Sequence, residues 1–240
     1  MSRYPQSGFR PGTMEYESGV DSSVVVRFFN AVYGWMAAGL ALTAVVAWYV
    51  ASHPQALRLV LGPQVWLLFI VQIVLVVTIS AAINKISAPV ATALFMLYAA
   101  LNGLTFSVIF LMYTKASLAS AFGVTAGTFA AMSLYGMVTK TDLTRIGSFL
   151  FMALLGLVIA SVVNMFWANS TMQWIITYAG VFIFVGLTAY DTQKLKQIAY
   201  ATQNDPAMAS RLSVNGALSL YLDFINLFLF ILRLMGDRRS

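Results

Sequence analysis

The sequence predicts an all-α integral membrane protein of seven transmembrane helices, with the last helix central in the bundle. Of its 240 residues, 60% are hydrophobic and only 9% are charged, whereas about a quarter of the residues in a soluble domain are charged. The apolar residues form runs of about 20, the length that crosses about 30 Å of hydrocarbon. The last run carries a polar stripe, which lipid cannot hydrogen-bond and which therefore belongs inside the bundle.

The predicted spans begin at residue 32, and the breaks between them hold prolines and charges. They are residues 32–52, 64–84, 90–112, 118–138, 147–168, 172–192 and 213–234. Residues 1–31 are polar, charged and interrupted by Pro and Gly, a composition typical of disorder. We therefore expect two regions, a flexible cytoplasmic N-terminal tail over residues 1–31 and one seven-helix membrane domain over residues 32–240.

The orientation follows from the basic residues, which concentrate in cytoplasmic loops. The side that holds the N-terminus carries most of them: Arg3, Arg10, Arg27, Lys85, Lys140, Arg145, Lys194, Lys196 and Arg211. The opposite loops carry only Arg58 and Lys115. The N-terminus is therefore predicted to be cytoplasmic. Seven crossings would place the basic C-terminal residues on the other side, against the same rule, so the side of the C-terminal tail stays open.

The composition also excludes several classes of function. The net charge is +6, but its basic residues are spread over loops and ends, whereas a nucleic-acid binder presents a basic patch. The chain has no cysteine and a single histidine, His53, which excludes zinc–thiolate sites and thiol nucleophiles. We expect no nucleic-acid partner and no cofactor, and a lipid bilayer around the spans.

Two aspartates lie within predicted spans, Asp191 in the sixth and Asp223 in the seventh. A carboxylate in hydrocarbon costs about 2.5–3.5 kcal/mol on insertion scales, so it needs a partner, a proton or a cation. This favours a functional role for Asp223. For Asp191 a second interpretation stays open, that of a carboxylate at a helix end paired with Lys194.

Other polar residues follow two helical stripes, at spacings that place each stripe on one helix face. The first comprises Asn215, Ser219, Asp223 and Asn226, and the second Tyr98, Asn102 and Thr105. Either stripe can line a polar pathway, or it can supply hydrogen bonds between helices, worth about 0.6–2 kcal/mol each.

Three segments resemble the Bax inhibitor-1 family, whose motif they carry. They are residues 131–136, residues 184–196 with Thr-Ala-Tyr-Asp-Thr-Gln-Lys, and residues 217–236 with Leu-Tyr-Leu-Asp-Phe-Ile-Asn-Leu-Phe. The resemblance extends from about residue 30 to the end of the chain, and is strongest to bacterial inner-membrane members. It implies seven helices with the last one central, and a bacterial inner-membrane location.

The resemblance also implies a function, a pH-sensitive calcium leak. In such members two aspartates on the sixth and seventh helices hydrogen-bond to each other and sense protons, and a basic residue after the second helix latches to one of them. The matching positions here are Asp191 and Asp223, with Lys85 as the possible latch. Bacterial relatives are also associated with modulating an FtsH-like membrane protease, which leaves a regulatory role without transport as an alternative.

The chemistry of two neighbouring acids gives a mechanism for such a leak. Carboxylates close together in a low-dielectric site cannot both be ionised cheaply, so they share a proton and titrate as a pair. When both are ionised, their oxygens suit Ca²⁺, bound transiently at Asp191 and Asp223. The two acids can meet only if the last helix begins near residues 207–211, because Asp191 lies close to the cytoplasmic end of its own span.

A remote alternative is an intramembrane aspartyl protease, in which two such acids act on water as general base and general acid. The first acid follows a tyrosine, as in those enzymes, but the second lies in Leu220-Tyr-Leu-Asp223 and lacks their Gly-x-Gly-Asp context. We therefore expect no enzymatic activity.

Overall fold

The computed structural model describes residues 22–239, which form eight α-helices. Their bounds are α1 Ser22–Ser52, α2 Pro54–Leu61, α3 Val65–Ala82, α4 Ala88–Met112, α5 Lys115–Val138, α6 Thr144–Trp167, α7 Ser170–Ala201 and α8 Pro206–Met235. Within these residues the β-structure is limited to one isolated bridge, between Tyr113 and Arg238. The all-α prediction is confirmed.

Seven of these helices are long and apolar enough to cross a bilayer, which confirms the predicted number of spans. The helix that does not is α2, eight residues that start at Pro54 and connect α1 to α3. A proline suits the first position of a helix because its missing N–H would have had no helical acceptor there.

The first span begins earlier than predicted, at Ser22 instead of residue 32. The predicted flexible tail is therefore wrong for residues 22–31, and its remainder, residues 1–21, lies outside the described residues. Phe28 and Phe29 are buried in the core, so this part of α1 is held by packing. Because polar residues precede this part of α1, the composition of the segment did not indicate its apolar face.

Helix α8 is the centre of the bundle, as predicted. It packs against α1, α4, α5 and α7. Half of the residues in its most apolar 18-residue stretch are buried, compared with 11% of those in the corresponding stretches of α3 and α6. Its side chains Leu218, Leu220, Tyr221 and Leu227 are fully buried. Helices α3 and α6 instead present apolar side chains outward, as the lipid-facing helices of a bundle do.

The start of α8 sets the depth of Asp223. The helix begins at Pro206, and the Asp205 side chain caps it by accepting a hydrogen bond from the backbone N–H of Met208 at 2.9 Å. This lies close to the start between residues 207 and 211 that a meeting of the two aspartates requires. Helix α7 reaches Ala201, so Asp191 lies more than two turns before its end.

The link between α5 and α6 carries an acid, Asp142, just before the fifth membrane-spanning helix begins. Asp142 Oδ1 accepts a hydrogen bond from the backbone N–H of Thr144 at 2.9 Å. Hydrogen bonds from Thr144 lower the pKa of Asp142 below its ordinary value. The Gln193 side chain of α7 binds the same link at both ends: its Oε1 accepts from the Leu143 N–H, and its Nε2 donates to the Thr141 carbonyl. These contacts hold the start of α6 against α7.

A candidate ion and proton site between helices α6, α7 and α8

Asp191 and Asp223 line the same cavity, which has a volume of about 750 Å³. Asp191 reaches it from α7 and Asp223 from α8. The structure thus brings together the two acids that the sequence singled out, although they are far apart in the chain.

The cavity exists because α6 packs along α7 but makes at most marginal contact with α8. A groove is left between α6 and α8, and α7 forms its floor. The remaining lining residues are Gly147, Ser148, Phe151, Leu154, Leu155 and Val158 from α6, Phe184, Leu187, Tyr190 and Lys194 from α7, and Ser219, Leu222 and Asn226 from α8.

Asp223 is the more deeply buried of the two acids, with only 5% of its surface exposed. Its Oδ2 has no hydrogen-bond partner among the described residues, so the bond between the aspartates that the resemblance implies is not made through that oxygen. A buried carboxylate without a donor is strongly unfavourable in its charged form. The position therefore requires a proton, a cation or water from the cavity.

Asp191 is partly exposed. The threonine hydroxyls nearest to it along α7 already donate hydrogen bonds to other groups. Thr188 and Thr192 both donate to backbone carbonyls of their own helix, at 2.8 and 2.7 Å. Lys194 lines the cavity, but no ion pair within 4.0 Å joins it to Asp191. The interpretation of Asp191 as one half of a helix-end salt bridge gains no support from this arrangement.

The polar stripe of α8 divides between two environments. Ser219 and Asn226 line the cavity together with Asp223, whereas Asn215 does not. Asn226 Nδ2 donates to the carbonyl of Leu222, one turn earlier on the same helix, at 2.8 Å. Ser219, Asp223 and Asn226 thus form one polar wall over two turns of α8.

The second predicted stripe lies outside this cavity. The Tyr98 ring packs edge-on against the ring of Tyr221 on α8, with centroids 5.9 Å apart. Thr105 Oγ1 donates to the Asn102 carbonyl at 2.9 Å and accepts from Gln72 Nε2 at 3.4 Å. These contacts hold α4 against α3 and α8, so the structure supports the interpretation of this stripe as hydrogen bonding between helices. Asn102 Nδ2 is buried there without a partner among the described residues.

Lys85 is exposed in the turn that follows α3, and it is not among the residues that line the cavity. Helix α3 packs against α4 and α2, and the structure does not bring Lys85 to either aspartate. A different basic residue holds this turn: Arg211 of α8 donates from Nη1 to the Asn84 carbonyl at 3.1 Å. From the sequence, Arg211 served only to predict the orientation in the membrane, because nothing in the spacing of the residues indicates its contact with Asn84.

The cavity also contains residues that sequence reasoning did not assign to it. Lys194 was interpreted as an ion-pair partner, and Tyr190 only as part of the Tyr-Asp motif. Among residues 22–239 no three His, Asp or Glu side chains cluster closely enough to hold a metal ion. A cation between Asp191 and Asp223 would therefore need water or backbone carbonyls to complete its coordination.

Comparison with known proteins agrees with the resemblance found in the motifs. The model of the family described as inhibitor of apoptosis-promoting Bax1 matches residues 25–240. The inner membrane protein YbhL of Escherichia coli K12 is 50% identical over 242 residues, covering all of both chains. A protein of Deinococcus radiodurans is 48% identical, covering 89% of this chain and 92% of its own, and one of Borreliella burgdorferi is 46% identical, covering 89% and 93%.

Proposed function

This chain belongs to the Bax inhibitor-1 family, and on that premise we propose that it is a pH-sensitive calcium leak of the bacterial inner membrane, gated by an aspartate pair. The pair consists of Asp191 and Asp223, the transported ion is Ca²⁺, and the proton competes with it for the pair. The proposal includes a cytoplasmic N-terminus and no enzymatic activity.

The observation that carries this proposal is the placement of both carboxylates on one cavity within the membrane-spanning bundle. Structural polar contacts between helices can be made by Asn or Ser at lower cost, since the amide and hydroxyl carry no charge. Asp223 Oδ2 has no hydrogen-bond partner within residues 22–239, which further favours a role in which this oxygen receives a proton or an ion.

Protons and Ca²⁺ compete for the pair in this mechanism. Ca²⁺ binds carboxylate oxygens only when they are ionised, so its binding at the pair displaces a proton and its apparent affinity rises with pH. Two carboxylates supply few of the six to eight oxygens that Ca²⁺ prefers. We therefore assign the pair to transit and gating, and not to storage.

Purified protein in liposomes loaded with a Ca²⁺ indicator tests the function directly. Entry of Ca²⁺ above the rate of protein-free liposomes, at a rate that changes with pH, is the expected result. Absence of entry at every pH would contradict the proposal and favour the alternative, a regulator of another membrane protein such as a protease complex. Cleavage of a transmembrane peptide by the purified protein would instead favour the aspartyl protease interpretation.

A further inference from the structure

A second cavity, of about 430 Å³, lies on the same three helices as the first. Among the described residues, Asn226 alone lines both. The polar side chains of the second cavity are Ser161 and Asn164 of α6, Gln173 of α7, and Asn226 and Arg233 of α8. No acidic residue in the described part of the chain lines it.

The two cavities follow one another along the bundle axis. Helix α6 lines the first with residues between 147 and 158 and the second with residues between 161 and 165, while α8 lines them with residues 219–226 and 226–233. At about 1.5 Å per residue, the stretch of α8 from Ser219 to Arg233 covers much of the about 30 Å of hydrocarbon. Together the cavities extend across much of the membrane-spanning bundle.

The contents of both cavities follow from their polar lining. Lipid chains offer neither hydrogen bonds nor counter-charges, so Asp223 and Arg233 would each be left unsatisfied by lipid. Water satisfies both. Apolar residues of α6, such as Phe151 and Val158, form the outer rim of the groove toward the lipid.

Asn226 is held where the two cavities meet. Its amide nitrogen donates to the Leu222 carbonyl at 2.8 Å, which fixes the side chain against its own helix. From the single shared residue, the stacking of the cavities and their polar linings, we infer that the groove is a water-filled path with two vestibules, and that Asn226 is the constriction between them. The first cavity forms the first vestibule, which carries the aspartate pair. The second cavity forms the second vestibule, which carries Arg233.

This inference deepens the proposed transport function and rests on it only for the identity of the ion that uses the path. The constriction itself is testable without any flux measurement. The native sequence contains no cysteine, so single cysteines can be introduced into the full-length protein and probed with a charged, membrane-impermeant methanethiosulfonate reagent in right-side-out and inside-out vesicles.

The probes are Ser219→Cys in the first vestibule and Ser161→Cys in the second, both conservative in size. Their controls are Val162→Cys, adjacent to Ser161 and 50% exposed toward lipid, and Met152→Cys, 64% exposed on the same helix beside the first vestibule. The expected result is that the Ser219→Cys variant reacts from one side of the membrane and the Ser161→Cys variant from the opposite side, with no reaction at either control. In an Asn226→Ala or Asn226→Ser background, we expect this sidedness to be lost.

Three outcomes would overturn the inference. Probes no more reactive than their controls would mean that lipid fills the groove. Labelling of both probes from the same side would mean that no constriction separates them, and sidedness that survives both Asn226 variants would place the constriction elsewhere. If the probes are labelled from opposite sides but the protein passes no Ca²⁺, the proposed leak is rejected and the inferred path stands. If the protein passes Ca²⁺ but the probes do not react, the inferred path is rejected and the proposed leak stands.

Discussion

The hydroxyl oxygen of Thr43 lies 2.7 Å from that of Tyr221, which joins α1 to the centre of α8. Thr43 Oγ1 is also within hydrogen-bond distance of the carbonyls of Gly39 and Ala99, at 2.9 and 2.8 Å. Because a hydroxyl has one proton, Thr43 donates it to one carbonyl and accepts from Tyr221. This buried network lies on the side of α8 away from the aspartates and fixes the helix on which Asp223 depends.

Replacing Tyr221 with Phe should therefore destabilise the bundle without touching the cavity. The loss of this buried hydrogen bond between helices is expected to cost about 0.6–2 kcal/mol, measured as the free energy of unfolding in mixed micelles. Tyr178→Phe is the control, since its side chain is exposed. If Tyr221→Phe is no less stable than this control, the contact does not hold α8 in place.

Gly136 allows α5 to approach α7 closely, because a Cβ at this position would overlap the backbone carbonyl of Ala189. Gly136→Ala should force the helices apart and cost about 1–3 kcal/mol, as overpacking typically does. Gly127→Ala, on the same helix, has no atom within 4 Å of its added Cβ and should be neutral or slightly stabilising. Equal melting temperatures for the two variants in detergent would contradict the close approach.

Asp205 begins α8 by accepting the N–H of Met208. Asp205→Ala removes this cap and should cost about 0.5–2 kcal/mol, whereas Asp205→Asn keeps an equivalent acceptor and should cost little. Hydrogen exchange of the first turn of α8 measures the difference locally. Equal exchange rates in both variants would show that the cap does not control the start of the helix.

The sequence predicted the number of spans and the interior position of the last helix, because each depends on a local signal. Runs of apolar residues give the number of spans, and a polar stripe or a lone Asp in such a run indicates a helix face that lies inside the bundle. The placement of Asp191 and Asp223 on one cavity was predictable only with the family resemblance, since it depends on where α8 begins. The contacts of Arg211 with Asn84 and of Thr43 with Tyr221 depend on helix packing, for which the sequence carries no signal.

Lys85 and Lys194 offer a direct comparison between a lysine that the resemblance suggested and one that the structure places at the cavity. Lys194 lines the cavity with both aspartates, whereas Lys85 is exposed beyond α3. A cation near a carboxylate favours its charged form, so we expect Lys194→Gln to change the pH profile of Ca²⁺ flux in liposomes and Lys85→Gln to leave it unchanged. The opposite pattern would support Lys85 as the latch in another conformation of the protein.

The pH profile of Ca²⁺ flux in liposomes, compared between the wild-type protein and its Asp191→Asn and Asp223→Asn variants, tests the aspartate pair most directly. Asn preserves the shape of the side chain but cannot exchange a proton. The Asn215→Asp variant provides a matched control, since it adds a carboxylate to the same helix at a residue that does not line the cavity. We expect flux that depends on pH in the wild type and in the control, and flux that does not depend on pH in either Asp→Asn variant. A pH dependence that is unchanged in both variants would contradict gating by the pair.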